Sequence, residues 1–367
     1  MKMNNKTILI LVNHDVVIYN FRRELVERLI NDGYKVIISS PYGERIDDLI
    51  EMGCTFIEVT LERHGTNIFN ELKLINYYKK IIKKVKPTVV LSYTIKPNIY
   101  GGLAAELLNV PYIANITGLG TAVENEGLMQ KITIFLYKIS FMKIQKVFFQ
   151  NTENMQFFID KKIAIAKHRL VPGSGVNIEQ FNTLDYPSGD TVEFVFISRI
   201  MKEKGIDHYI DAAKFIKKKY PKTVFHICGF CEEDYEEKLK SLEEQGIINY
   251  HGMIRDVREI LIRTHCTIHP TYYPEGMSNV LLESAACGRP IITTDRSGCR
   301  EIVDDGINGF IVKLQNTNDL IEKIEMFLTL DNEQRLQMGL AGRKKVENEF
   351  NRQIVVDAYF EEIEKIV

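Results

Sequence analysis

The 367-residue sequence lacks several features that define large classes of protein. Its formal net charge is only −2 at pH 7, so no overall positive charge favours nucleic acid as a partner. No apolar run approaches the roughly 18 residues of a membrane span. The first apolar run, residues 7–12, is also too short for a signal sequence. We therefore expect any contact with a membrane to be peripheral.

Cysteine occurs at only six positions, most of them inside apolar runs. This usage indicates a reduced, cytoplasmic protein. Cys228 and Cys231 form a Cys-x-x-Cys pair, but no second pair accompanies it. We therefore interpret the two thiols as packing groups at the end of a strand.

The charges are spread unevenly along the chain. Residues 1–180 contain 23 Lys and Arg against 17 Asp and Glu, whereas the remainder contains 24 against 32. A basic first half and an acidic second half predict that the two halves meet different partners.

Short apolar runs alternate with helical patterns along most of the chain. One series extends over residues 8–116 and a second over 193–293. Such alternation predicts parallel sheets covered by helices on both faces. The expected fold is therefore α/β, with two Rossmann-like doubly wound domains.

A turn-rich segment at residues 186–190 predicts the boundary between these domains. The expected domains are 1–185 and 186–350, and segment 351–367 is expected to pack back on the first. In open α/β sheets, ligands bind at the carboxyl ends of the strands. We therefore expect the chemistry in a cleft between the two domains.

The most informative stretch contains two glutamates, Glu275 and Glu283. Glu275 lies in a Pro-Glu-Gly loop that leads into a predicted helix, whose first backbone N–H groups favour anions or hydroxyl oxygens. Glu283 lies about two turns inside this otherwise apolar helix, where a carboxylate needs a partner. Paired ribose hydroxyls would satisfy both of its oxygens, and a partner within the fold would do so equally well.

Two cations, Arg199 and Lys204, stand directly after a predicted strand and before a predicted helix. Cations that flank a helix N-terminus favour a diphosphate, because the helix dipole and the side chains attract the same anion. Lys202, between them, is interpreted as a solvated surface charge.

The Glu-x7-Glu run resembles the donor-binding signature of retaining glycosyltransferase family four, and the Arg199–Lys204 stretch is similar to a second motif of that family. The resemblance implies the B-type fold of two Rossmann-like domains facing each other across a cleft. It also implies roles. Glu275 and the loop amides after it bind the donor sugar, Glu283 binds the ribose, and the two cations hold the pyrophosphate. The ends of two further strands, near Gly229 and Met253, surround the base of the nucleotide. The remaining donor-side residues are Gly229, Met253, Ile254, Gly276, Met277, Ser278 and Asn279.

No Asp-x-Asp triplet occurs in the sequence. The sequence therefore lacks the motif with which the other large glycosyltransferase fold binds a metal ion and the donor diphosphate. We expect no metal and no cofactor besides the nucleotide sugar, which acts as co-substrate. Arg199, Lys204 and helix dipoles would take the place of a cation.

The acceptor side departs from the family. A Gly-Gly pair that many members carry after the first strand is absent, and Asn115-Ile-Thr117 stands where many members place a histidine. The sequence motif from Tyr19 to Arg22 resembles that of a branch that makes bacterial surface polysaccharides and lipid-linked glycans.

In a front-face mechanism the leaving phosphate accepts the proton of the acceptor hydroxyl, so no strong base is required. The acceptor-side candidates are His14, Asp15, Tyr19, Arg22, Lys96, Thr117, Gly118 and Glu124.

Two stretches, residues 77–86 and 129–143, are both cationic and amphipathic. Such surfaces bind anionic lipid head groups or polyprenyl diphosphates. A packed helix with a lysine face explains the same pattern. The first interpretation predicts a cytoplasmic protein that attaches to the inner face of the membrane.

Together these features predict a retaining, metal-independent glycosyltransferase of bacterial capsule, O-antigen or related glycan assembly. The expected donor is a UDP-linked hexose or N-acetylhexosamine, and the expected acceptor is a saccharide, free or linked to polyprenyl diphosphate. Two alternatives remain. One is a catalytically silent, glycosyltransferase-like binding subunit, which the missing histidine and Gly-Gly pair favour. The other is a nucleotide-sugar epimerase of the same fold.

Overall fold

The protein is described here from a computed structural model that covers residues 6–59, 68–120, 123 and 126–367. The chain divides into two compact units. The first consists of Met1–Gly175 together with Arg352–Val367, and the second of Val176–Asn351. Each unit contains one parallel sheet with a hydrophobic core on both of its faces, which is the predicted doubly wound α/β architecture.

Among the described residues, seven parallel strands form the sheet of the first unit, in the order β3-β2-β1-β4-β5-β6-β7. The order reverses between β1 and β4, which places the topological switch point of this sheet beside β1. The strands are β1 Thr7–Leu11, β2 Lys35–Ser40, β3 Thr55–Glu58, β4 Val89–Tyr93, β5 Tyr112–Ile116, β6 Lys146–Phe149 and β7 His168–Leu170.

Helices cover both faces of this sheet, because successive side chains of a strand point to opposite sides. Ile8 and Ile10 pack against the helices at one face, whereas Leu9 and Leu11 pack against those at the other. Pro97–Gly101 forms a π-helical turn that leads into the fifth helix. The helices are α1 Asp15–Phe21, α2 Arg23–Asn31, α3 Ile46–Glu51, α4 Ile68–Val85, α5 Gly102–Leu107, α6 Leu128–Ser140 and α7 Thr152–Asp160.

Two helices follow β1, because the backbone leaves helical geometry at Arg22, between α1 and α2. The Arg22 backbone has φ −138° and ψ 10°. Its guanidinium is buried, 5.2 Å from the ring centre of Tyr93 and 5.8 Å from that of Tyr359. The break thus accompanies the burial of a charged side chain between two aromatic rings.

The second unit repeats the plan with six parallel strands in its described residues, in the order β10-β9-β8-β11-β12-β13. Its switch point lies between β8 and β11. The strands are β8 Val192–Ile197, β9 Thr223–Cys228, β10 Asn249–Tyr250, β11 Cys266–His269, β12 Ile291–Thr294 and β13 Gly309–Val312. The helices are α8 Ile206–Lys219, α9 Glu236–Glu244, α10 Arg258–Leu261, α11 Asn279–Ala286, α12 Thr317–Thr329 and α13 Asn332–Glu349.

Between β10 and β11 the chain forms the four-residue helix α10. The Asp256 carboxylate accepts the backbone N–H of Arg258 at 3.0 Å and also binds its guanidinium. An aspartate that bonds the backbone two residues on forms a turn rather than a helix, which explains the late start of α10.

The second unit begins before the turn-rich segment at residues 186–190. Two of its own arginines bind the preceding chain. Arg343 donates to the carbonyl of Ile178 at 3.1 Å, and Arg289 donates to that of Asp185 at 2.6 Å. Arg289 is fully buried, so these carbonyls supply the acceptors that its guanidinium requires. The units therefore divide between residues 175 and 176.

The last helix, α14 Arg352–Glu364, belongs to the first unit. The Tyr359 ring packs on that of Phe148, with 4.4 Å between the ring centres. The Tyr359 hydroxyl accepts a hydrogen bond from Nδ2 of Asn115 at 2.8 Å. Arg352 donates to the backbone carbonyl of Asn20 at 3.0 Å. The C-terminal segment thus completes a core that the N-terminal strands begin.

Candidate functional site

The loops that leave β8 and β11 meet at the switch point of the second sheet. The loop after β8 carries Arg199 and Lys204, and the loop after β11 carries Glu275. Gly205 allows the two loops to approach, since its φ is +81° and an added Cβ would lie 2.1 Å from the carbonyl oxygen of Pro270. Residues about 70 positions apart in the chain are therefore brought to one point.

Lys204 and Glu275 form an ion pair at this point. Both side chains are largely buried. The Lys204 ammonium also lies 4.6 Å from the ring centre of Tyr273, which is a cation–π distance. A paired lysine of this kind is held in place, which suits it to bind an anion that enters the site.

His269, the last residue of β11, completes this cluster. Its Nε2 is 3.9 Å from Oε1 of Glu275, and burial lowers the pKa of its imidazole. Burial also raises the pKa of Glu275, but the charge of Lys204 and the contact with His269 outweigh it and lower that pKa from 4.5 to about 2. Glu275 is therefore a carboxylate, an acceptor of hydrogen bonds, throughout the physiological pH range.

Arg199 lies beside the Lys204–Glu275 pair and close to the same Tyr273 ring. Its guanidinium carbon is 5.4 Å from the ring centre of Tyr273, and it contacts the carboxylate of Glu232. The side chain of Arg199 is half-exposed. Nη1 of its guanidinium donates to Glu232, and this weak surface pair can be exchanged for a stronger anion.

Three members of this cluster were not predicted: Glu232, His269 and Tyr273. Each directly follows or ends a strand of the second sheet or lies in the loop behind it. A polar residue at the carboxyl end of a buried strand was the available signal, since side chains at that position face the ligand crevice of a doubly wound sheet.

The start of α11 follows Glu275 in the chain. Ser278 is its N-cap, but the Ser278 side chain makes no capping hydrogen bond. The backbone N–H of Ser278 donates to the carbonyl of Gly298 at 2.7 Å. Gly276 and Met277 are buried in the loop. The N–H of Ser278 is thus engaged within the fold, and the role of the loop amides in donor binding stays a prediction.

The side chain of Asn279 contributes a further polar group here. Its Oδ1 is buried and has no hydrogen-bond partner in the part of the chain that the structure describes. Glu283 lies one turn further along α11, half-buried and engaged in contacts of its own. Both interpretations of Glu283, a ribose ligand or a group paired within the fold, therefore stay predictions.

The residues predicted to frame the base lie at the ends of β9 and β10. Gly229 donates its N–H to the carbonyl of Gly252 at 2.7 Å, and its own carbonyl accepts from the Tyr250 hydroxyl at 2.9 Å. Met253, which comes next, is 70% exposed, whereas Ile254 packs against the core. Hydrogen bonds thus join the two strand ends into one edge, at which the thioether of Met253 is exposed.

The acceptor-side candidates lie in the first unit. His14 and Asp15 follow β1, while Thr117 and Gly118 follow β5. These four residues are all at the carboxyl edge of the first sheet. Glu124 lies outside the described residues.

The other three candidates are engaged in structural contacts. Lys96 forms an ion pair with Glu71 at 2.8 Å. Arg22 is buried between two tyrosine rings. The ring of Tyr19 lies 4.8 Å from the guanidinium carbon of Arg45. Their contacts give these side chains roles within the fold itself.

The described residues contain no group of three or more His, Cys, Asp and Glu side chains arranged to hold a metal ion. Nor do they include a helix whose length and apolar character would allow it to cross a membrane.

Comparison with known families identifies the chain. Residues 7–151 match the family described as glycosyl transferase 4-like, and residues 185–345 match the family described as glycosyl transferases group 1. The chain is a glycosyltransferase of the family-four type. The two matches fall on the two units, and the second includes the cluster around Lys204 and Glu275.

The glycosyltransferase has relatives in bacterial surface glycan assembly. It is 25% identical to the N,N'-diacetylbacillosaminyl-diphospho-undecaprenol alpha-1,3-N-acetylgalactosaminyltransferase of Campylobacter jejuni, over 95% of this chain and 96% of that protein. It is 26% identical to the UDP-Gal:alpha-D-GlcNAc-diphosphoundecaprenol alpha-1,3-galactosyltransferase of Escherichia coli, over 85% and 83% of the two chains.

Solved structures support the B-type fold. A glycosyltransferase from Rickettsia africae superposes with a TM-score of 0.82 at 21% identity, covering 99% of both chains. HepE of Anabaena, in complex with UDP and glucose, superposes with a TM-score of 0.78 at 15% identity, covering 98% of this chain and all of that one. The glycosyltransferase therefore has the two-domain fold that its sequence motifs predicted.

Proposed function

We propose that this glycosyltransferase transfers a hexose or N-acetylhexosamine from a UDP-sugar to a saccharide carried on polyprenyl diphosphate, with retention of configuration. The observation that carries the proposal is the buried Lys204–Glu275 pair with Arg199 beside it, at the switch point of the second sheet. The undecaprenyl-diphosphate substrates named for two relatives support the acceptor class.

On the donor side, the cations exchange partners when the nucleotide sugar binds. Arg199 leaves Glu232, and Lys204 turns from Glu275 to the diphosphate. Glu275, ionised and released from its partner, accepts hydrogen bonds from the donor sugar. Glu283 binds the ribose, and the edge formed by Gly229, Met253 and Ile254 receives the base.

During transfer, the same cations stabilise the departing nucleoside diphosphate. Negative charge grows on its oxygens as the glycosidic bond breaks, and charges fixed in a partly buried site stabilise it without reorganising. Two cations and the start of α11 supply this stabilisation, so we propose that the reaction needs no metal ion. The leaving phosphate accepts the proton of the acceptor hydroxyl.

A transfer assay tests the donor site. The probes are radiolabelled UDP-N-acetylgalactosamine and UDP-galactose, with N-acetylglucosaminyl-diphosphoundecaprenol as acceptor. Arg199→Met should lower kcat by about 100-fold, because it removes one fixed charge from the diphosphate. The control is Lys202→Met, an exposed cation three residues away. Equal activity of Arg199→Met and wild type would contradict the donor site.

The same assay separates the alternatives. A silent binding subunit would bind UDP but form no product with any acceptor. An epimerase would convert the UDP-sugar in the absence of acceptor. Addition of EDTA should leave the rate unchanged, and a loss of activity that Mg²⁺ or Mn²⁺ restores would contradict metal independence.

We further propose that α6 attaches the enzyme to an anionic membrane. Leu128, Ile132, Phe135 and Met142 are exposed and recur at helical spacing on α6 and the turn after it. Residues 128–143 contain three lysines and no acidic residue. An exposed apolar stripe on a segment whose charged side chains are all lysines fits a surface of anionic head groups over acyl chains.

Vesicle sedimentation tests this attachment. Wild type should sediment with vesicles of equal parts phosphatidylglycerol and phosphatidylcholine, and less with phosphatidylcholine alone. Phe135→Ser/Met142→Ser should lose most of this binding. The matched control is Phe215→Ser, an exposed phenylalanine in the second unit. Binding that the double variant retains would assign these side chains another role.

A further inference from the structure

A carboxylate is buried at the carboxyl end of β1. Asp15, the first residue of α1, is only 1% exposed. One of its oxygens accepts the backbone N–H of Arg45 at 2.7 Å. Gly43 leaves room for the carboxylate, since a Cβ at that position would lie 2.3 Å from Oδ1. A carboxylate held this closely by the fold fixes the direction of whatever it binds next.

The second oxygen of Asp15 binds the neighbouring histidine. Nδ1 of His14 is 2.7 Å from Oδ1 of Asp15, and the His14 side chain is 38% exposed. The backbone N–H of Val16 lies 3.3 Å from the same Nδ1. Nδ1 cannot both donate to Asp15 and accept from Val16. The shorter contact with a carboxylate decides the tautomer, so Nδ1 carries the proton and Nε2 is the acceptor.

Nε2 of His14 makes no hydrogen bond within the described residues. It is also an exposed ring nitrogen at the switch point between β1 and β4. The strands that flank β1 end in buried polar groups. Oγ of Ser39 and Oγ1 of Thr94 have no partner in the described part of the chain. Buried polar atoms are normally satisfied, so their concentration at this edge indicates a polar ligand.

We infer that His14, held by Asp15, receives a hydroxyl group of the acceptor saccharide through its Nε2. This inference rests on the proposed function and names the group that holds the acceptor. With its Nδ1–H held by Asp15, the ring accepts one hydrogen bond at Nε2 along one direction. It therefore orients the hydroxyl oxygen.

In this proposal His14 contacts the acceptor hydroxyl, although the sequence has no histidine at the end of β5. Asp15 is a positioning residue, because it acts only through His14. A carboxylate accepts the N–H of Arg45 and that of His14 at once, whereas the carboxamide of Asp15→Asn has one oxygen to offer. The amide substitution should therefore turn the imidazole or reverse its tautomer.

Two substitutions of His14 separate this role from a structural one. Asparagine presents an acceptor near Nδ1 and is a good helix cap, but it does not reach the position of Nε2. Glutamine reaches that position but caps poorly. If His14 only caps α1, His14→Asn should keep activity and His14→Gln should lose it. Our inference predicts the opposite order.

The experiment measures kcat and KM for N-acetylglucosaminyl-diphosphoundecaprenol, with the UDP-sugar that supports turnover. His14→Asn and Asp15→Asn should lower kcat/KM by about 100-fold, and His14→Gln by about tenfold or less. Glu44→Gln, an exposed neighbour, is the control and should match wild type. Stabilisation by UDP in a thermal-shift assay should be unchanged in all variants, because the donor site lies in the second unit.

Each outcome decides the matter. An active wild type with an equally active His14→Asn overturns the role of His14 and leaves the proposed function intact. Higher activity in His14→Asn than in His14→Gln assigns His14 to capping. A wild type that UDP stabilises, but that transfers sugar to no lipid-linked saccharide, overturns the proposed function and this inference with it.

Discussion

Replacement of Lys204 by methionine is expected to destabilise the protein by about 3 kcal/mol at pH 7. The substitution keeps the length of the side chain but removes the charge that the Glu275 carboxylate contacts. The charge of Lys204 and the contact with His269 lower the Glu275 pKa from 4.5 to about 2, which corresponds to about 3 kcal/mol. Removal of one partner from a buried ion pair has a cost of similar size.

The sign of the pH dependence follows from the direction of this pKa change. The folded-state pKa of Glu275 lies below its ordinary value, so the ion pair stabilises the fold fully above about pH 4.5 and ceases to do so as the pH falls through 2. The free-energy difference between wild type and Lys204→Met should therefore decrease on acidification, to about 1 kcal/mol at pH 3.

Urea unfolding followed by far-UV circular dichroism measures these differences, since the chain contains no tryptophan for fluorescence. Lys202→Met should unfold like wild type because that side chain is exposed. The double variant Lys204→Met/Glu275→Leu should regain most of the lost stability, because no unpaired charge is left in the interior. A Lys204→Met protein as stable as wild type at pH 7 would refute the reasoning.

Three further substitutions have predicted effects on urea unfolding. Gly205→Ala should lose about 2 kcal/mol or more, since its Cβ would meet the carbonyl of Pro270 at a positive φ; an unchanged midpoint would contradict the close approach. Arg289→Met should lose about 2–4 kcal/mol through unpaired carbonyls, unlike an exposed Lys218→Met. Tyr359→Phe should lose about 1 kcal/mol, and a neutral result would mean that its bond with Asn115 contributes nothing.

Much of the donor site could be predicted from the sequence because its residues lie in short, contiguous motifs. Arg199 and Lys204 are separated by five positions, and Glu275 and Glu283 by eight. Local spacing alone places such residues at the junction of a strand and a helix. The prediction that both motifs contribute to one site is consistent with the contact between Lys204 and Glu275.

Some elements followed no local pattern. The helical segment after β1 is interrupted at Arg22, whose side chain is buried against aromatic rings from β4 and α14. The second unit begins at Val176 because Arg289 and Arg343, more than 100 residues later, bind the carbonyls of the connecting segment. A sequence pattern that extends over only a few residues does not reveal these distant partners.

The sequence by itself determined the class of fold and the residue types at the donor edge, because hydrophobic periodicity and motif spacing are local properties. The tertiary structure decided how those residues are paired. It matched Lys204 with Glu275 rather than leaving either in solvent, set His269 behind them, and buried Asp15 so that His14 presents one ring nitrogen. These are matters of charge, burial and direction, which arise only when distant strands end at the same edge of a sheet.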